Sequence, residues 1–132
     1  TDRMFFSSGP GQAFQQLGDA LPTRLKARIA GPGSLVALAS RSHLDERTKE
    51  FLSQHHVTNI QQMGSSLKLC LIAAGEADIY PRFGPTMEWD TAAGHAILMA
   101  AGGSLTTPDG QPLRYAKSDL RNPDFVARGA TS

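Results

Sequence analysis

The sequence has one cysteine, no long apolar run and almost no net charge, and each of these shortages excludes a class of protein. Because Cys70 is the only cysteine, an internal disulfide framework is excluded, which fits a reducing compartment and a cytoplasmic location. The longest apolar run, 69–74, is far shorter than the roughly 20 residues that a membrane span needs. The N-terminus has no basic segment followed by an apolar stretch, so we expect no signal peptide.

The charge balance gives no case for nucleic-acid binding. Lys and Arg number 13 and Asp and Glu number 12, which leaves a formal net charge of +1. Binding to a phosphate backbone calls for a basic face, and this composition does not predict one. With 40% hydrophobic and 19% charged residues, the 132-residue chain has the composition of one globular domain rather than of a disordered segment.

Strands and helices are predicted to alternate through the middle of the chain. Turn-forming glycines and prolines separate the predicted segments. The predicted strands are 4–8, 13–17, 35–40, 57–61 and 77–83, the predicted helices are 44–54, 67–75 and 89–101, and two or three short strands follow residue 104. This alternation predicts an α/β fold in which a layered sheet is flanked by helices. The first two strands form a hairpin that does not fit the alternation.

Asp90 is the most informative polar position, because it stands at the start of a predicted helix and is followed by the small residues 91–94. One interpretation is an aspartate that caps the helix or fills its first turn, which is common in proteins. The other is a carboxylate ligand for Mg²⁺, which prefers hard oxygen ligands and usually takes one or two carboxylates from the protein. The small residues would then let the helix start approach a ligand closely.

A possible anion-binding turn precedes the helix predicted at 67–75. Gly64, Ser65 and Ser66 lead into this helix, and Lys68 follows close behind. Free N–H groups at a helix start attract anions, serine hydroxyls add donors, and a lysine can meet a second anionic group. The same residues also suit ordinary helix capping. The spacing is not that of a Walker loop.

Polar residues also follow the buried strand at 35–40. Ser40, Arg41, Ser42 and His43 stand at its carboxyl end, where open α/β sheets bind ligands. Arg82 ends the strand at 77–83 and faces either an anion or solvent. A solvated turn is the competing interpretation of residues 40–43.

Together these elements resemble the inositol monophosphatase superfamily, in particular the C-terminal half of its CysQ-type 3′(2′),5′-bisphosphate nucleotidase branch. The segments that carry the resemblance are Ser40-Arg41-Ser42-His43, Gly64-Ser65-Ser66-Leu67-Lys68, Tyr80-Pro81-Arg82-Phe83-Gly84-Pro85-Thr86 and Trp89-Asp90-Thr91-Ala92-Ala93-Gly94. The match covers 36–126 well and the first 35 residues loosely. It implies the C-terminal domain of the family's sugar phosphatase fold at 34–132, after a hairpin and linker remnant of the N-terminal domain at 1–33.

The resemblance implies a Mg²⁺-dependent phosphatase that hydrolyses the 3′-phosphate of adenosine 3′,5′-bisphosphate in sulfur assimilation. Asp90 would be the catalytic carboxylate and metal ligand. The substrate, a small phosphorylated nucleotide, would be held by Ser40, His43, Gly64, Ser65, Ser66, Lys68 and Arg82. The resemblance also implies peripheral association of the parent protein with the inner membrane.

The sequence departs from the family pattern in its metal ligands. The family's earlier Glu and its Asp-Pro-x-Asp-Gly-Thr motif have no counterpart, because Pro108-Asp109-Gly110 lacks the first Asp and the Thr and follows Asp90. The Mg²⁺ site is therefore incomplete, and we expect the chain to be inactive alone. Its expected partner is the missing N-terminal domain, or a second copy that covers the same exposed surface.

Two other functions remain open from the sequence. One is a related phosphatase of the inositol monophosphatase type, which acts on an inositol phosphate or on fructose bisphosphate. The other is a nonenzymatic nucleotide-binding domain that keeps the fold without metals. Lys68 and His43 favour a substrate with two anionic ends, and this constrains the substrate class only in part.

Overall fold

The computed structural model describes residues 3–9, 11–29, 35–40, 46–57, 59–63, 68–83, 86–113, 121–122 and 124–130, and it leaves the side chains of residues 40, 63, 87–90 and 121 undescribed. The strands are β1 (Arg3–Gly9), β2 (Gln12–Leu17), β3 (Thr23–Arg24), β4 (Val36–Ser40), β5 (Asn59–Met63), β6 (Ile79–Arg82), β7 (Thr86–Met87), β8 (Ser104–Thr106), β9 (Arg121–Asn122) and β10 (Phe125–Arg128). The helices are α1 (Glu46–Gln54), α2 (Lys68–Ala73) and α3 (Glu88–Ala100).

The largest sheet has five strands in the order β5-β4-β6-β10-β8. β4 is parallel to both β5 and β6, and each of these two parallel neighbours is reached through a helix, as parallel connections require. β10 is antiparallel to β6 and to β8, between which it lies. The sheet is therefore mixed, with its parallel strands on one side.

Helices cover both faces of this sheet. Ile79 and Val126 pack in one apolar cluster with Leu52 of α1, whereas the adjacent residues Tyr80 and Phe125 pack in another with α2 and α3. Since neighbouring side chains of a strand point to opposite faces, α1 lies on one face of the sheet and α2 and α3 lie on the other. The predicted layered α/β sheet flanked by helices is confirmed.

A separate sheet contains the predicted hairpin, β1 and β2, together with the short strand β3, which was not predicted. Its inner face joins the main core through Ala13, and the Ala27 N–H donates to the carbonyl of Ala101 at 2.9 Å. On its outer face the rings of Phe6 and Phe14 stack with centroids 5.4 Å apart. The division of the chain at residue 33 stays a prediction.

The strand predicted at 57–61 begins two residues later than expected, at Asn59. Helix α1 is followed by His56 in the left-handed conformation, with φ 57°, and the Val57 N–H donates to the Leu52 carbonyl at 2.9 Å. This bond is the one that closes a helix C-terminus. Val57 is thus buried as part of the helix end and is not the first residue of β5.

The buried carboxylate of Asp78 joins three distant segments of the chain. Arg28 donates to it twice, from Nε at 2.9 Å and from Nη2 at 2.6 Å, and the Val36 N–H donates to Oδ2 at 2.7 Å. The Asp78 backbone also bonds to the Val36 carbonyl and to the Gly129 N–H. Burial raises the pKa of Asp78, but the bonds from Arg28 and Val36 and the Arg28 charge outweigh this effect, so the pKa lies below its ordinary value of 3.8.

We expect Asp78→Asn to lower the free energy of unfolding by about 2–3 kcal/mol at pH 7, because it removes the charge from bonds that a buried carboxylate accepts. Since the folded-state pKa is depressed, this stabilisation is present above about pH 4 and is lost as the pH falls through the folded pKa. Urea denaturation as a function of pH measures both effects.

The matched control is Asp124→Asn, which removes the same charge from a more exposed ion pair with Arg47. This variant should lose less than about 1 kcal/mol. Equal losses in the two variants would contradict the role assigned to Asp78.

Candidate functional site

Three of the predicted site residues lie at one edge of the five-stranded sheet. β4 and β6 run in the same direction from the paired residues Ala37 and Ile79 to their carboxyl ends, Ser40 and Arg82. Lys68 is the first residue of α2, which contacts β6. The carboxyl ends of parallel strands are where α/β sheets bind ligands, so the topology brings these residues to the expected place.

Lys68, Tyr80 and Arg82 form a group that we call the Lys68–Arg82 cluster. Lys68 is 7% exposed, and its Nζ lies 5.3 Å from the centre of the Tyr80 ring, within range of a cation–π contact. Burial lowers the pKa of Lys68, and the positive charge of Arg82 lowers it further. Two cations therefore share one partly desolvated environment, which becomes more favourable when an anion binds there.

Arg82 has a buried side-chain donor, the Nε, for which the described part of the chain supplies no acceptor. Burial raises the pKa of the neighbouring Tyr80 hydroxyl, and the charge and hydrogen bonding of Arg82 partly offset this rise. An unsatisfied buried donor is costly, and an oxyanion is the acceptor that a guanidinium binds most strongly.

The structure does not test the other predicted site residues. His43, Gly64, Ser65 and Ser66 lie outside the described residues, and the side chains of Ser40 and Asp90 are not described. The backbone places Asp90 in the first turn of α3, which begins at Glu88. The predicted roles of all these positions stay predictions.

Contacts that the sequence did not reveal position the beginning of α3. The Asn122 Nδ2 donates to the Thr91 hydroxyl at 3.0 Å and to the Thr86 hydroxyl at 3.1 Å, and the strands β7 and β9 pair beside them. Gly94 packs against the Leu69 side chain of α2, whose Cδ1 lies 3.0 Å from the point where a Cβ would stand. The small residue at 94 therefore permits the close approach of α3 to α2. The predicted close approach of residues 91–94 to a ligand stays a prediction.

The described residues do not supply a complete metal site. Within these residues, no group of three or more His, Cys, Asp or Glu side chains could hold a metal ion. A divalent cation bound by protein groups usually needs several oxygen ligands in one place. The donor set of the described part thus does not amount to a self-sufficient Mg²⁺ centre. Because the Asp90 side chain is not described, the expectation of an incomplete Mg²⁺ site in this chain stays a prediction.

The sequence matches the model of a known protein family. The model of the inositol monophosphatase family matches residues 2–129, nearly the whole chain. The chain belongs to the inositol monophosphatase family.

Within this family, the chain is similar to CysQ proteins in both sequence and structure. The 3′(2′),5′-bisphosphate nucleotidase CysQ of Escherichia coli strain K12 is 43% identical over 126 residues, which are 92% of this chain and 49% of that protein. The crystal structure of CysQ from Bacteroides thetaiotaomicron superposes with a TM-score of 0.81 at 38% identity, over 96% of this chain and 54% of that one. The chain thus spans about half the length of the CysQ proteins that it matches.

The inositol monophosphatase of Anabaena sp. PCC 7120 is less similar. It superposes with a TM-score of 0.62 at 25% identity and covers 90% of this chain and 50% of its own. The predicted resemblance to the family and to its CysQ branch is confirmed.

None of the three described helices has the length and apolar character that crossing a bilayer requires.

Cys70 lies on α2 near the cluster, and its thiol is buried. Burial raises the pKa of Cys70 from 9.0 to about 11. We therefore expect iodoacetamide to react slowly with the folded chain at pH 8 and quickly with the chain in guanidinium chloride, as mass spectrometry would measure.

The same pKa shift predicts a loss of stability at alkaline pH. Because the folded-state pKa is raised, the stabilisation from the neutral thiol is complete below pH 9 and is lost as the pH rises toward 11, by at most about 2–3 kcal/mol. The Cys70→Ala variant should not show this part of the alkaline loss of stability. An identical alkaline decline in both proteins would show that other groups cause it.

Proposed function

We propose that this chain forms the C-terminal part of a phosphatase that hydrolyses the 3′-phosphate of adenosine 3′,5′-bisphosphate in the cytoplasm, in sulfur assimilation. The observation that carries the proposal is the buried Nε of Arg82, which has no acceptor among the described residues, beside the buried Lys68 at the edge of the sheet where α/β proteins bind ligands. The likeness to CysQ nucleotidases supports a substrate with two phosphates.

In this proposal the substrate lies along the carboxyl edge of β4 and β6. Lys68 and Arg82 neutralise its phosphates, and Ser40, His43 and residues 64–66 contact the nucleotide and the remaining phosphate oxygens. The Asp90 carboxylate is one ligand of a Mg²⁺ site. Bound magnesium would supply an activated water and stabilise the leaving oxygen.

The remaining metal ligands come from outside this chain in the same proposal. The parent protein adds an N-terminal domain that carries them, and without it the isolated chain binds nucleotide but does not turn it over. The chain's length, about half that of its CysQ relatives, agrees with this division.

The isolated chain should therefore release no phosphate above background from adenosine 3′,5′-bisphosphate with Mg²⁺, as a phosphate-release assay measures. A hybrid in which this chain replaces the matching half of E. coli CysQ should hydrolyse this substrate, and faster than inositol 1-phosphate. In the hybrid, Asp90→Asn should lower turnover at least about a hundredfold, because a metal ligand is lost.

Asp109→Asn is the matched control, since Asp109 lies in an exposed turn of the tail and has no predicted metal role. It should leave turnover unchanged. Mg²⁺-dependent hydrolysis by the isolated chain, abolished by Asp90→Asn, would contradict the proposal that its metal site is incomplete. A folded hybrid without phosphatase activity would overturn the proposed function.

The main alternative is a nucleotide-binding domain without catalysis, which the cationic edge and the lack of a complete metal site among the described residues also favour. Calorimetry separates the two functions. A chain that serves a metal-dependent phosphatase should bind adenosine 3′,5′-bisphosphate more tightly with Mg²⁺, whereas a pure binding domain should not need the metal.

Arg82→Gln should weaken the binding of this nucleotide by the isolated chain at least about tenfold, because it removes a charged donor at a partly desolvated site. Arg24→Gln makes the same charge change on the exposed strand β3 and should bind like the unmodified chain. A similar loss of affinity in both variants would show that the nucleotide does not bind at Arg82.

A further inference from the structure

A cavity of about 260 Å³ lies at the end of the sheet opposite to the Lys68–Arg82 cluster. It is lined by Ile79, the first residue of β6, and by Leu35, which directly precedes β4. Arg82 lies three residues after Ile79 and Ser40 five residues after Leu35, which places them roughly 10 Å and 16 Å away at about 3.3 Å per residue. The cavity is thus separate from the proposed nucleotide site.

The charges that line the cavity do not balance. Two arginines, Arg28 and Arg128, line it together with one carboxylate, Asp78, and with the imidazole of His55. When the imidazole is left out of the sum, the lining side chains carry one net positive charge. The Asp78 carboxylate is already bound to Arg28 and to the Val36 N–H.

Arg128 has no such partner. Within the described part of the chain, its side chain makes no ion pair or hydrogen bond, although it is partly buried at the end of β10. Burial alone lowers the pKa of Arg128, and no described carboxylate offsets this effect. A partly buried guanidinium beside a cavity is best matched by an anion with two oxygens in its plane.

The size and walls of the cavity restrict the anion. Ile29, Leu35 and Ile79 give it apolar walls, and its volume lies just below the range of about 300–1,000 Å³ that is typical of ligand pockets. One net positive charge matches a monoanion, whereas a phosphate monoester carries about −1.5 to −2 at pH 7. A carboxylate has the required charge and planarity.

We propose that this cavity binds a small organic carboxylate, whose carboxylate group pairs with Arg128 and whose apolar body contacts Ile29, Leu35 and Ile79. The site is independent of the phosphatase proposal, because it shares no residue with the Lys68–Arg82 cluster. Its ligand is a compact acid with a branched or aromatic body, which benzoate represents.

The test is a titration of the isotopically labelled 132-residue chain with sodium benzoate, followed by amide chemical shifts. We expect saturable shifts at Ile79 and at residues 128–130. The neutral isostere benzamide should bind at least about tenfold more weakly, because it cannot form the charge-assisted bonds to Arg128.

Arg128→Gln should weaken benzoate binding at least about tenfold, and Arg24→Gln, with the same charge change on β3, should not weaken it. If Arg128→Gln fails to fold, the comparison of benzoate with benzamide on the unmodified chain still decides. Equal affinity for the two compounds, no saturable shift, or shifts centred on Lys68 and Arg82 would each overturn the proposal.

Discussion

The rest of the structure depends on the buried carboxylate of Asp78. Its bonds to Arg28 and Val36, and the backbone bond to Gly129, join the linker before the sheet, the start of β4 and the end of β10 at one point. Because a buried carboxylate is stable only when its partners are in place, these segments are held in one arrangement. The starts of β4 and β6 are thereby aligned, and their carboxyl ends consequently reach the same edge of the sheet.

At that edge, the fold brings together groups that repel one another. The charge of Arg82 is close enough to lower the pKa of Lys68, and Lys68 is buried although burial opposes its charged form. Such an arrangement lowers the stability of the chain without ligand and favours an anion that fills the site.

The order of elements could be predicted from the sequence, because apolar runs, helical periodicity and glycine-proline turns are local signals. β3 and β7 were missed because a strand of two residues has no periodicity. The start of β5 was predicted two residues too early, because the histidine side chain gives no sign that His56 adopts the left-handed conformation. Ligand binding at the edge that holds Lys68 and Arg82 was predicted from the polar residues themselves and from a family resemblance, and it stays a prediction. The role of Asp78 and the cavity beside Arg128 were not predicted, because both arise from residues about 50 positions apart that meet only in the folded chain.

The position of β10 affects how the molecule folds during synthesis. This strand lies between β6 and β8 but leaves the ribosome after every other strand of its sheet. Until then, β8 has no neighbour among the described strands of its sheet. The edge of β6 is then open to water and to other nascent chains. Pairing across such long sequence separations is slow. Translation that stalls before residue 125 would thus leave an unclosed sheet, which is the form most exposed to aggregation and to cellular proteases.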